Sequence, residues 1–102
     1  VTIYVLHPEA YSDLDAIWEF IAEDNLDAAD HVLAEIHEAM LELVSFPRSG
    51  HKRPDLTARP LRFRIVREYL IAYAPDERPL LIIVVLHGRR SPRVMAALLR
   101  DR

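Results

Sequence analysis

A chain of 102 residues with 51% apolar side chains and only two glycines can bury one core and is too apolar to stay disordered, so residues 1–102 read as a single domain. The absence of cysteine excludes disulfide scaffolds, thiol catalysis and cysteine-ligated zinc, and His7, His31, His37 and His51 stand at no metal-binding spacing, so no metal or cofactor is expected. The net charge of −3 conceals a split, with eleven acids and no Lys or Arg in residues 1–46, and all thirteen basic residues with only five acids in residues 47–102.

That split points to a cationic surface for an acidic or phosphate-bearing partner. All the cations but Lys52 are arginines, the residue suited to bidentate bonds with carboxylate or phosphate.

Val1 to Leu6 reads as a short alternating strand, ended by His7-Pro8, and a proline suits the first turn of a helix. This opening has no basic segment followed by an apolar core, so no export signal is read there. The longest apolar run is far shorter than the roughly 20 residues of a membrane span, and a cytoplasmic location away from membranes is expected. From Glu9 to about Asp24, the residues Ala10, Leu14, Ile17, Trp18 and Ile21 fall on one helical face, which places Trp18 in the core. Asp24-Asn25 breaks this helix, and Asp27 is expected to cap a second one reaching about Phe46. Its stripe is Val32, Ile36, Ala39, Met40 and Leu43, widened by Leu33 and Val44, and Pro47 stops it. So short a connection makes the two helices an antiparallel hairpin.

Residues 47–60 form a basic loop rich in Pro and Gly. In Leu61–Val66, alternation sends Leu61, Phe63 and Ile65 to the core, with Arg62 and Arg64 on the opposite face. Arg67-Glu68 is a tight turn, Tyr69–Ala74 the next strand, and Pro75–Pro79 a second turn. The run Leu80–Leu86 is β-branched and apolar on both alternation faces, the pattern of a central strand buried on both sides. It ends abruptly in His87-Gly88-Arg89-Arg90. Ser91 then caps a short last helix with Pro92 at its first position, and Val94, Ala97 and Leu98, with Met95, give it an apolar side. The order β-α-α-β-β-β followed by a short C-terminal helix describes an α+β domain, with the helical hairpin packed on an antiparallel sheet.

The segments Gly50–Leu56, Arg62-Phe63-Arg64, Tyr69–Tyr73 and Val85–Arg90, with the acidic hairpin from Pro8 to Phe46, resemble the RelE/ParE toxin superfamily over essentially the whole chain. The resemblance implies the toxin of a type II toxin–antitoxin pair. Such a toxin is held inactive in a hetero-oligomer with a cognate ParD-like antitoxin, a dimeric DNA-binding protein with a segment that wraps the toxin. Its RelE-like members are ribosome-dependent mRNA endonucleases, and its ParE-like members are described as poisons of DNA gyrase that serve plasmid stabilisation.

On the nuclease reading the catalytic set is Arg62, Arg64, His87 and Arg90, with cations on the crowded phosphate and His87 as acid or base. Several nuclease members carry a Tyr in the last helix, and that position falls at Met95 or Ala96 here. The hairpin also lacks the Lys and Arg that would suit ribosomal RNA. These departures imply the ParE-like branch, a protein inhibitor rather than an enzyme, with no catalytic residues and with Arg62, Arg64, Arg89, Arg90 and Arg93 as partner contacts. Gyrase and the antitoxin are the implied partners, without membrane or sequence-specific DNA contacts. A non-toxic, antitoxin-binding member of the fold is the further alternative.

Overall fold

The computed structural model describes residues 3–102, so the first two residues of the expected opening strand lie outside the described residues. The elements run β1 (Tyr4–Leu6), α1 (Pro8–Ala22), α2 (Leu26–Ser45), β2 (Arg62–Val66), β3 (Tyr69–Ala74), β4 (Leu80–His87) and α3 (Pro92–Asp101). They form an α+β fold around a four-stranded sheet of order β1-β4-β3-β2. The last three strands make the expected antiparallel meander, with Arg62 opposite Tyr73 and Tyr69 opposite His87. The meander leaves the outer edge of β4 open, and β1 fills the start of it in parallel, Tyr4 facing Leu80, so the sheet is mixed.

Both faces of this sheet are covered, which is why β4 can be apolar on both. On one face Tyr69, Ile71, Tyr73, Leu80, Ile82 and Val85 meet the hairpin stripe of Ile17, Val32, Ile36, Ala39, Met40 and Leu43. On the other, Leu61, Phe63, Leu70, Ala72, Ile83, Val84 and Leu86 meet Met95 and Leu99 of α3 and Leu56 of the long loop. Ala72 faces Val84 while Tyr73 faces Ile82, so Ile83 is the extra residue of a β-bulge in β4.

Four local expectations need correction. Asn25, not Asp27, caps α2: its extended backbone lets the side-chain oxygen accept the Ala28 N–H at 3.0 Å, and Asp27 falls inside the first turn. The two residues are near-equal caps, and the three-residue connection selects the earlier one. Trp18 is half-buried and outside the apolar core, because its indole N–H needs a partner and finds Asp30 Oδ1 on α2 at 2.9 Å. Ile65 is 68% exposed although Leu61 and Phe63 on the same face are buried. At the turn end of the edge strand, the cover from α3 and Leu56 leaves an open groove. Val94 is 41% exposed, and α3 instead buries Met95 and Leu99 against the sheet. The face opposite Leu61 and Phe63, which receives Arg62 and Arg64, is the hairpin-covered one.

The cap of α3 follows the sequence, as does Pro8 in the first turn of α1, while His7 is a cap not expected from the sequence. His7 Nδ1 accepts from the Glu9 N–H at 3.1 Å, with Pro8 opening α1. Ser91 Oγ accepts from the Arg93 N–H at 3.2 Å, with Pro92 opening α3. The basic loop is tied down by a two-way backbone bridge between His51 and Phe63 and by the Tyr73 phenol, which donates to the Pro47 carbonyl at 2.7 Å and accepts from the Gly50 N–H at 2.9 Å.

Candidate functional site

The arginines divide into those spent on the fold and those left outside it. On the hairpin side of β2, Arg62 donates to the Gly50 carbonyl at 2.8 Å, and Arg64 pairs with Glu42 of α2 at 2.9 Å. Arg67, at φ 55° in the two-residue turn, forms a two-pronged pair with Glu35 of α2. Part of the charge split is therefore complementary inside one molecule, acids of the hairpin meeting arginines of the sheet. The Arg67 hydrogen bond is the main cause holding the Glu35 carboxyl below its usual range, with burial opposing it. A depressed carboxylate contributes stability above its unfolded pKa and loses it as pH falls through the folded value. In urea titrations, the wild type is expected to lose stability more steeply than Glu35→Gln between about pH 5 and pH 3. Equal slopes would remove the pair from the acid response.

A second pair closes the sheet edge. β1 pairs only with Leu80–Ile82, so on the edge away from β3 no described strand lies beside β4 from Ile83 onward. Asp13 of α1 accepts the Val85 N–H at 3.0 Å, and Arg102 donates to the Ile83 carbonyl at 3.1 Å. The two side chains are themselves joined by a bidentate pair of 2.6 and 3.0 Å. Together they supply the hydrogen bonds that a neighbouring strand would make.

The end of β4 is built as a corner. The Gly88 N–H donates to the Glu68 carbonyl at 2.6 Å and the Arg90 N–H to the His87 carbonyl at 3.0 Å. His87 Nδ1 accepts from the Arg89 N–H at 3.0 Å, while Nε2 lies 3.3 Å from Glu68 Oε2 and the ring stands edge-on to Tyr69 with centroids 5.5 Å apart. A ring that accepts at Nδ1 carries its proton on Nε2, so His87 braces the turn from both nitrogens. Burial, reinforced by Glu68, pushes the Tyr69 phenol above its usual range, leaving it protonated at neutral pH. Met95, one of the two positions at which the resemblance places the Tyr of nuclease members, is buried under the sheet.

What the corner presents outward is charge. Arg89, Arg90 and Arg93 are exposed, and among the described residues none has a carboxylate within 4.0 Å. Arg89 and Arg90 rim a groove of about 350 Å³ whose lining also includes Arg53, Leu56, Ile65 and Met95. The sequence-predicted residues are thus not one cluster: Arg89, Arg90 and Arg93 lie at the β4–α3 corner, whereas Arg62 and Arg64 sit on the hairpin side of the edge strand. Arg67, Asp13 and Arg102 carry no sequence motif. The one available signal was Asp13, an acid between Ala10, Leu14 and Ile17 on a stripe that is otherwise apolar.

Among the described residues no group of three or more His, Cys, Asp or Glu is placed to hold a metal ion. No described helix is long and apolar enough to cross a membrane. The family described as "ParE toxin of type II toxin-antitoxin system, parDE" matches residues 4–92. No curated protein matches the chain.

Proposed function

The chain belongs to the ParE toxin family of type II toxin–antitoxin systems, and from that premise we propose that it is a protein inhibitor of DNA gyrase, neutralised by its antitoxin. Membership of the family implies the antitoxin partner. The proposed antitoxin is ParD-like, dimeric and DNA-binding, joined to this chain in a hetero-oligomer that works in the cytoplasm and stabilises a plasmid. The toxin itself makes no sequence-specific DNA contact.

The observation that carries the choice of gyrase over mRNA is the corner at the end of β4. Its arginines point outward unpaired, while its one histidine is engaged at both nitrogens. A binding surface needs the first, and a nuclease would need one nitrogen of the histidine open to the proton it moves. The hairpin supports the same reading, since without a single Lys or Arg it offers nothing to neutralise ribosomal phosphates. Arg89, Arg90 and Arg93 are the proposed primary contacts. Arg62 and Arg64 contact a partner by exchanging the Gly50 carbonyl and Glu42 for its acceptors.

Two assays side by side decide the target. Purified toxin is expected to inhibit supercoiling by gyrase and to leave mRNA on translating ribosomes intact. Ribosome-dependent cleavage without any effect on gyrase would replace the reading with the endonuclease one.

A further inference from the structure

Ile65 occupies a strand position patterned for burial, next in alternation to the buried Leu61 and Phe63, yet it is 68% exposed. It lies in the groove of about 350 Å³ beside Leu56 and Met95, with Arg89 and Arg90 on the rim. The remaining rim arginines are occupied, Arg53 by Asp55 and Arg67 by Glu35, and the one carboxylate of the lining, Glu68, lies 3.3 Å from His87 Nε2. The groove therefore combines one uncovered apolar side chain, Ile65, set beside the buried Leu56 and Met95, with two cations that have no carboxylate partner among the described residues. An apolar floor excludes water from bonds made at its rim, which strengthens guanidinium–carboxylate pairs there.

We propose that this groove receives an acidic segment of the antitoxin that carries one large apolar side chain. That side chain covers Ile65, and flanking carboxylates bind Arg89 and Arg90. The inference rests on the antitoxin reading above and adds to it the place and chemistry of the contact. A peptide fits better than a nucleic acid, since a phosphate backbone satisfies the arginines and leaves Ile65 in water. The excess of unpaired positive charge selects an acidic segment over a basic one.

The test uses the absence of cysteine from the chain. Ile65→Cys introduces a single thiol at an exposed site, and its rate of modification by Ellman's reagent is compared in the free toxin and in the complex with the antitoxin encoded by the adjacent reading frame. The rate is expected to fall roughly ten-fold or more in the complex. Ile65→Glu is expected to keep the wild-type melting temperature and to weaken antitoxin binding by a similar factor. A thiol that stays fully reactive in a formed complex overturns the groove assignment and leaves the antitoxin reading standing. Failure of the wild-type chain to bind that antitoxin overturns both. Protection that grows with toxin concentration alone assigns the groove to a second copy, and protection by RNA or gyrase but not by antitoxin assigns it to those partners; each of these overturns the proposal.

Discussion

Replacing Asp13 by Ala is expected to destabilise the protein by about 3–5 kcal/mol, the range for removing one partner of a buried ion pair. The side chains of Arg102 and Asp13 are only 7% and 9% exposed. Without Asp13, the Arg102 guanidinium keeps only Glu9, at 3.2 Å and largely in solvent, and the Ile83 carbonyl. The Val85 N–H loses its acceptor on a strand edge that has no neighbouring strand. The damage is therefore a stranded charge plus an unsatisfied donor at the middle of the central strand. For a domain of this size, such a loss lowers the melting temperature by more than about 10 °C. Calorimetry or urea unfolding checks it, and a change below about 1 kcal/mol would show that the pair is no more than a surface salt bridge.

The second large effect is expected at Gly50. A methyl group there would sit 2.4 Å from the Tyr73 hydroxyl and 2.8 Å from the Phe63 carbonyl oxygen. Neither obstacle can step aside. Tyr73 is fully buried, and Phe63 is held by its backbone bridge to His51. Gly50→Ala must push the loop off the sheet or break the bonds between Tyr73 and the Pro47–Gly50 segment, at a cost of about 2–4 kcal/mol. Tyr73→Phe removes the oxygen and is expected to cost about 1–3 kcal/mol, since the Gly50 N–H loses its acceptor. In the double variant the methyl meets one obstacle fewer, so the combined loss should be smaller than the sum of the two single losses. Strict additivity in urea unfolding would mean that the Phe63 carbonyl and the ring carbon of residue 73, which lies 2.9 Å from the methyl and is kept in Phe, set the constraint rather than the hydroxyl.

The fold was largely legible because its signals are periodic. The stripe from Val32 to Leu43 and the two-faced run from Leu80 to Leu86 state their burial directly, and both are buried as patterned except for the half-buried Leu81. Alternation says that Arg62 and Arg64 share a face but not which face the helices take, so their pairing with the hairpin side was invisible. The parallel placement of β1 depends on which edge of the meander is vacant, and no local pattern records that. Ile65 marks a different limit. Pattern shows which way a side chain points, whereas exposure depends on whether another element reaches far enough to cover it.

The binding corner was half legible. Gly88 and the paired arginines announced an abrupt turn carrying charge, and the structure places them at the exposed end of a largely buried inner strand. The engagement of His87 with the Arg89 N–H and Glu68 depends on a turn formed by another hairpin, and spacing along the chain does not reveal it. The Asp13–Arg102 pair spans nearly the whole sequence, so only the tertiary fold brings its members together.

The most direct test is a supercoiling titration of purified gyrase with the wild-type chain and with the Arg89→Glu, Arg90→Glu double variant. Both side chains are exposed, so the double variant is expected to fold, with an unchanged circular dichroism spectrum and melting temperature. The wild type is expected to inhibit, and the variant to require on the order of ten-fold more protein or to fail altogether. Gyrase that remains fully active at large wild-type excess, or a variant as potent as the wild type, would contradict the proposal that this corner is the surface through which the toxin acts.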